Sequence, residues 1–581
     1  MRRVPTPWPS VQALGLVLAL TAAPSPTVWA QTAEDPHAAC AAVGWVPREV
    51  LQRPVPLRTG IGRTHEAVTT TTADAQAFHD QGLAYLHSYV WIEAGRSFHQ
   101  ALRLDPKLAL AWIGLSRVYS GLEDQVAARA AWAKAQELAD AASEKERRKI
   151  AARGVQLDAI DDLANVEKHA AYKRALDEAL AADMDDVELW LLRGNAEERN
   201  AAGRGQRGSA ASVAFYRQAL AVSPDHFAAH HYLVHSYETI GRIAEALSHG
   251  EVYARLADQV PHARHMWAHD LRRVGRVEDA IAEFERAHEL ETAYYKAEGL
   301  PEELDWHRPH NLDLLATCHQ HQGRMKKTEA VMRERGRIRP VLSGTEFNGK
   351  AWPGFLLGTG RHAEALVAAR ELARGRWVST RAVGHALAGH ALLARGRLAE
   401  AEAELAEAEA RLAEVPAGGM TVGYVGRSAV EPYVFGLRGE ILLRRGERAQ
   451  AGELLRDVRR RIRAVPGPDA WTEALFRLEE IARAARGAGD WELAAYTAEQ
   501  MRDHDPAYAG THYALGLVAE HAGDATQARA AFGEAVRLWS KADPELPDLR
   551  QARQRREALA RSAELSAREA AARAELVQGK P

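Results

Sequence analysis

Two histidine pairs are the residues best placed by type and spacing to do chemistry. His231 and His235 stand four apart, and so do His265 and His269; the second pair follows the first by 34 residues (265 − 231). A spacing of four puts both rings on one face of a helix. Neutral imidazole is a ligand for zinc and copper, with nitrogen–zinc distances of about 2.0–2.1 Å. Histidines at i and i+4 clamp such an ion from one helix. Two clamps one repeat apart can form one four-histidine site or two linked sites. Copper would bring redox chemistry and zinc an activated water.

Positioning these rings requires helices stacked at a fixed period. Thirty-four residues is the period of the tetratricopeptide repeat, a helix–turn–helix unit. Its pattern starts near Gln76: Gly82, Tyr85, Ala94, Phe98, Ala101 and Pro106 in the first unit, then Trp112, Tyr119, Ala128, Trp132 and Ala135. Small residues let the two helices of a unit approach, and aromatic residues fill the gap to the next unit. Residues 144–182 read as a degenerate helical pair, and Gly203 to Gly208 as a loop inside a later unit. Turn glycines Gly241, Gly275 and Gly323 mark the histidine region, with an insertion over Glu291–Trp306. Gly360, Gly396, Gly446, Gly489 and Gly523 continue the array. The predicted fold is all-α, a tetratricopeptide-repeat α-solenoid with a short irregular N-terminal lead-in.

The domain reading follows. Residues 1–30 resemble a signal peptide: Arg2 and Arg3 precede an apolar stretch, Val11 to Ala23, too short to span a bilayer, and Val28-Trp29-Ala30 suits cleavage. Residues 31–73 form the lead-in, 74–335 the N-terminal array with the histidines, 336–543 a C-terminal array, and 544–581 a charged capping helix and tail. The expected location is exported, periplasmic or secreted, with no integral membrane segment after cleavage. The 75 basic and 78 acidic residues leave no basic field to draw nucleic acid. Whether Cys40 and Cys318 pair is left open.

The register assigns faces. With the turn glycine at position 15, His231 and His265 take position 5, His235 and His269 position 9, and His262 position 2. In the unit of Gly323, His310 takes position 2 and Asp313 position 5. These positions line the concave groove of such arrays. His231, His235, His265, His269, His310 and Asp313 are therefore the candidate metal ligands. Glu238 is a candidate carboxylate ligand or supporting partner. The candidate groove set for a partner is His87, Asn195, Glu198, Glu238, His262, Arg272 and Arg273, with Arg272 also suited to an anionic substrate. His226, His249, His319 and His321 read as surface residues, and His385, His390, His504 and His512 as structural or solvent-facing. His65-Glu66 fails as a zincin motif, because Thr69 stands where the second histidine belongs.

The stretches PDHFAAHHYLVHSYE (224–238), VPHARHMWAHDLRRVGR (260–276) and QGLAYLHSYVWIEAGRSF (81–98) resemble an exported bacterial family of tetratricopeptide proteins. Its members carry a histidine-rich HYY-like stretch, then H-M-x-x-H, then P-H-N-x-H. Here the last reads Pro309-His310-Asn311-Leu312-Asp313, with Asp in place of the final histidine; Trp267 and Ala268 replace the usual Pro and Ser. The resemblance spans roughly residues 40–335. It implies an exported helical array and points to His231, His235, His265, His269 and His310, with His87 beside them. It carries no reaction.

Two functions compete. The first is a binding scaffold whose groove holds a peptide or protein of the cell envelope. The alternative is a zinc or copper metalloprotein with the histidines as its site, catalytic or not. The sequence does not decide whether the chain is an enzyme.

Overall fold

The computed structural model describes residues 45–418, 424–464 and 468–578. The signal-peptide reading and Cys40 lie outside them. Antiparallel helix pairs follow one another from Ala73–His87 with Trp91–Leu104 to Ala509–His521 with Ala525–Leu538, and Pro547–Gln578 closes the chain as a long, mostly exposed helix. The protein is an all-helical solenoid of helix–turn–helix units. No helix among the described residues is long and apolar enough to cross a membrane.

The repeat pattern works sterically as expected. A Cβ at Gly82 would come within 2.6 Å of the Phe98 ring, and one at Gly516 within 2.6 Å of Phe532. A helix may end in a left-handed residue, where glycine carries no steric penalty. The turn glycines from Gly241 to Gly523 adopt this conformation, with φ between 70° and 80°. In the first unit the equivalent position is Tyr89, at φ 56°. A bulky residue there is strained by about 1–3 kcal/mol.

The expected insertion is partly helical: Val277–Glu298 is one long helix that runs through Glu291, and a short 3-10 turn, Glu302–Leu304, follows. The described part of the lead-in, residues 45–72, holds one short helix, Arg48–Leu51, and otherwise runs without regular structure. It folds back across the hollow of the superhelix. Trp45 donates from Nε1 to the Leu304 carbonyl (3.1 Å), and the Gln259 amide donates to the Gly60 carbonyl (2.8 Å). The insertion reaches the first unit too, where Trp306 donates from Nε1 to the Tyr89 carbonyl (3.2 Å). One apolar core runs through this half, from Val46 to Leu342. The end of the array returns as well: Arg272 pairs with Asp505 at 2.8 Å, and the Asp543 amide donates to the Gly323 carbonyl at 3.0 Å. The concave face carrying the histidines is thus closed over, not open.

Candidate metal centre

Three consecutive first helices of the repeats carry the site: Phe227–Thr239, Pro261–Arg273 and His307–His321. They bring six histidines into two groups of three. His231, His235 and His262 form one, and His265, His269 and His310 the other; within each, one ring nitrogen per residue lies within 4.8 Å of the others. Each group takes positions 5 and 9 of one unit and position 2 of the next. The second group is the first translated by one repeat. The groups adjoin, with the His262 and His265 ring centroids 5.8 Å apart.

Hydrogen bonds fix the orientation of two of the rings, His231 and His265. His231 donates from Nδ1 to the His87 carbonyl at 2.7 Å, so its Nε2 carries a lone pair. That Nε2 lies 3.1 Å from Nε2 of His235 and 3.1 Å from Nε2 of His262. The equivalent ring, His265, donates from Nδ1 to Asn311 Oδ1 at 2.9 Å. The amide orientation is fixed because Asn311 Nδ2 donates to the Phe284 carbonyl at 3.1 Å. His265 Nε2 is buried without a hydrogen-bond partner. A hydrogen bond on the far nitrogen sets tautomer and orientation in metal-binding histidines.

Burial, reinforced by neighbouring imidazoles, holds His231, His262 and His265 well below the usual histidine range, and burial brings His235 down to about 4. These rings are neutral at pH 7, the form that binds metal. Glu238 stands between the groups, its carboxylate 4.0 Å from His235 Nδ1 and 3.8 Å from His269 Nδ1. These distances exceed hydrogen-bond length. Burial raises the Glu238 carboxyl above its ordinary range, and burial together with Glu238 raises neighbouring Asp270 well above its own.

The structure redistributes the expected site residues. His231, His235, His265, His269 and His310 come together, and His262, expected in the partner-binding groove, completes the first group. Asp313 stays outside both, paired to Arg335 at 2.9 Å. It occupies position 5 of a third junction, where positions 9 and 2 are Thr317 and Phe347 and offer no imidazole. His87 acts through its main chain toward His231; its ring lies between the Tyr232 hydroxyl (2.8 Å) and Glu188 (2.7 Å). Asn195 accepts from the Tyr216 hydroxyl at 2.7 Å, and Glu198 accepts from the amides of Arg204 (3.0 Å) and Gly205, holding the glycine-rich loop. Arg272 is taken by Asp505 and lies over the Trp471 ring, as does Arg273. These residues are engaged in contacts within the fold, and Asn195 also lines a small cavity with Gly203, Arg204 and Tyr232. His226, His319 and His321 are buried, correcting their surface assignment; His249 is half-buried against His230 (2.8 Å).

Two residues escaped the sequence reading. Tyr89 packs its ring against the first group, with centroids 4.8 Å from His231 and 5.3 Å from His262. His307 sits beside both groups, its centroid 5.0 Å from His262 and 4.6 Å from His265. Its Nδ1 meets Glu291 at 2.5 Å and its Nε2 is buried without a partner. A proline two residues on (Pro309) and an adjoining histidine three on (His310) were the available signals, but His307 falls at the edge of the insertion, where the repeat register is lost. His262 and His307 also face a cavity of about 860 Å³ between the lead-in and the Val277–Glu298 helix.

No protein-family model matches the chain, and no curated protein matches it in sequence. Among solved structures it is similar to yeast Tom70 (14% identity, 87% of this chain and 99% of that one, TM-score 0.33). It is likewise similar to PilW, a type IV pilus biogenesis factor (18%, 40% and 98%, TM-score 0.22). The Cut9–Hcn1 hetero-tetramer of the APC/C gives 12% identity over 84% of this chain and 96% of that one, with a TM-score of 0.28.

Proposed function

We propose that the protein is a metalloprotein whose two histidine triads each hold one transition-metal ion of the zinc or copper class. One observation carries this reading. The single lone pair of His231 Nε2 faces two further imidazole nitrogens at 3.1 Å, and only one N–H can point along it. Three neutral imidazoles satisfy one another poorly; one cation shared by three lone pairs removes the conflict. The equivalent ring of the second triad presents an unpartnered Nε2 in the same way. Three nitrogen ligands leave a tetrahedral ion one position for water or substrate. The chemistry such an ion supplies is Lewis-acid activation for zinc or electron transfer for copper. Burial holds His231, His235, His262 and His265 neutral and limits solvent, and hydrogen bonds fix two tautomers.

The solenoid architecture is in general that of a protein-interaction scaffold. A partner, in the cell envelope if the chain is exported, would have to use a face other than the closed histidine-bearing hollow. The deciding experiment is elemental analysis of untagged protein purified without chelator. The reading expects two ions per chain, one remaining in His262→Ala and one in His310→Ala. Protein that binds neither zinc nor copper stoichiometrically after titration would overturn it.

A further inference from the structure

The cavity beside the first triad has the size and the wall of a small-molecule site. Its volume, about 860 Å³, lies within the range of about 300–1,000 Å³ typical of ligand pockets. Aromatic rings from Trp45, Tyr85, Tyr89, Trp91, Tyr294 and Trp306 supply much of the wall. The charged part is one-sided: Glu93, Asp258, Glu291, Glu298 and Asp305 stand against the Arg58 guanidinium. Arg96, behind the wall, pairs with Glu93 (2.5 Å) and Glu298 (2.8 Å), which leaves three acids without an arginine.

Several wall groups lack hydrogen bonds. Glu291 Oε2 is buried with none, in a residue 2% exposed, and Glu93 Oε2, equally buried, has only the Arg58 Nε at 3.7 Å. His262 Nδ1 and His307 Nε2 are likewise buried with no hydrogen bond. An unpaired buried carboxylate oxygen such as Glu291 Oε2 is costly unless a donor arrives. Burial raises the Glu93 carboxyl, and raises Glu291 well above the ordinary range; a positive charge beside them would offset that penalty. A surplus of carboxylates within a box of electron-rich ring faces recognises organic cations.

We infer that this chamber binds a small organic amine with an apolar or aromatic body, presenting it to the first histidine triad at the wall formed by His262 and His307. This deepens the metalloprotein reading and rests on it for the role of the triad, but binding in the chamber does not require the ion. The ammonium would lie beside Glu291, at the edge of the Glu93–Glu298 pair that Arg58 and Arg96 already hold, and the body against Trp91 and Trp306.

The test uses three probes of one shape: phenethylamine, phenethyl alcohol and phenylacetate. Each is titrated by calorimetry and tryptophan fluorescence into full-length protein stripped of metal, then into protein loaded with cobalt(II), whose visible absorption reports changes at the ion. The expected result is amine binding at least ~10-fold tighter than the alcohol, with the acid weakest. Glu93→Gln should remove that preference while the alcohol binds as before. Because Glu93 is buried against Arg96, the half-buried Glu298→Gln is the second variant, with the same expectation. Acid binding equal to or tighter than amine, no binding by any probe, or an amine preference unchanged in both variants overturns the inference. Amine binding that leaves the cobalt spectrum unaltered overturns the placement at the triad. Failure of metal to bind, with amine binding intact, counts against the metalloprotein reading alone.

Discussion

Asn311 allows one triad to be perturbed while the other serves as an internal control. Its side chain accepts from His265 Nδ1 at 2.9 Å and donates to the Phe284 carbonyl at 3.1 Å, in a fully buried position. Asn311→Leu keeps the branched shape, with slightly larger methyl groups in place of the amide, and removes both bonds. His265 then loses the constraint that keeps its proton on Nδ1 and its lone pair toward His269 and His310. Loss of such a supporting bond weakens metal binding by about 10–100-fold, or about 1.4–2.7 kcal/mol. The two groups left unsatisfied cost folding stability about 1–3 kcal/mol each. The assay is competitive titration of apo-protein with zinc against a chromophoric chelator, with native mass spectrometry counting ions. One of the two affinities should fall by that factor and the other stay unchanged, since His231 is oriented by the His87 carbonyl instead. Asn311→Asp keeps the acceptor and should restore the weaker site. Equal weakening at both sites, or at neither, would refute the argument that ring orientation tunes each triad separately.

Acid should destabilise the apo-protein well above the carboxylate range. Burial holds His226 and His321 down to about 4 from an ordinary 6.5. Between these values the unfolded chain takes up protons that the folded chain refuses, so stability is intact above 6.5 and falls as pH drops. At pH 5 each group costs about 2 kcal/mol; urea titrations at pH 7 and pH 5 showing equal stability would contradict this. At position 89, Tyr89→Gly and Tyr89→Ala lose the same ring, but only glycine relieves the left-handed backbone. The glycine variant should be more stable by about 1 kcal/mol in denaturant unfolding, and parity would dismiss the strain. Asp505→Asn strands the buried Arg272 guanidinium, and thermal unfolding should show a loss of about 3–5 kcal/mol; a change below ~1 kcal/mol would mean the pair does not tie the end of the array to its middle.

The repeat was legible because each unit restates it: the spacing of small, aromatic and glycine positions at Gly82, Phe98, Gly516 and Phe532 is local, and so is helix pairing. The five histidines brought together from the candidate list were legible for the same reason, since their positions recur with the repeat. His262 shares register position 2 with His310, yet only the latter was read as a ligand; the symmetry of the two junctions was the missed signal. Burial of the groove was not legible, because it depends on contacts far apart in sequence, such as Trp45 with Leu304 and Arg272 with Asp505. Arg272, Asn195 and Glu198 were misassigned on that account: a charged or polar side chain on a concave face reads as solvent-facing until the face is covered. Asp313 was placed by register alone, and register does not reveal that Arg335 reaches it first.

Each triad draws two rings from one unit and the third from its successor, so its nitrogens converge only when two neighbouring units keep their stacking angle. Grip on an ion and the pitch of the superhelix at that junction are then a single variable. Bending the array there would open the nitrogens, and filling them would stiffen two successive joints of the array.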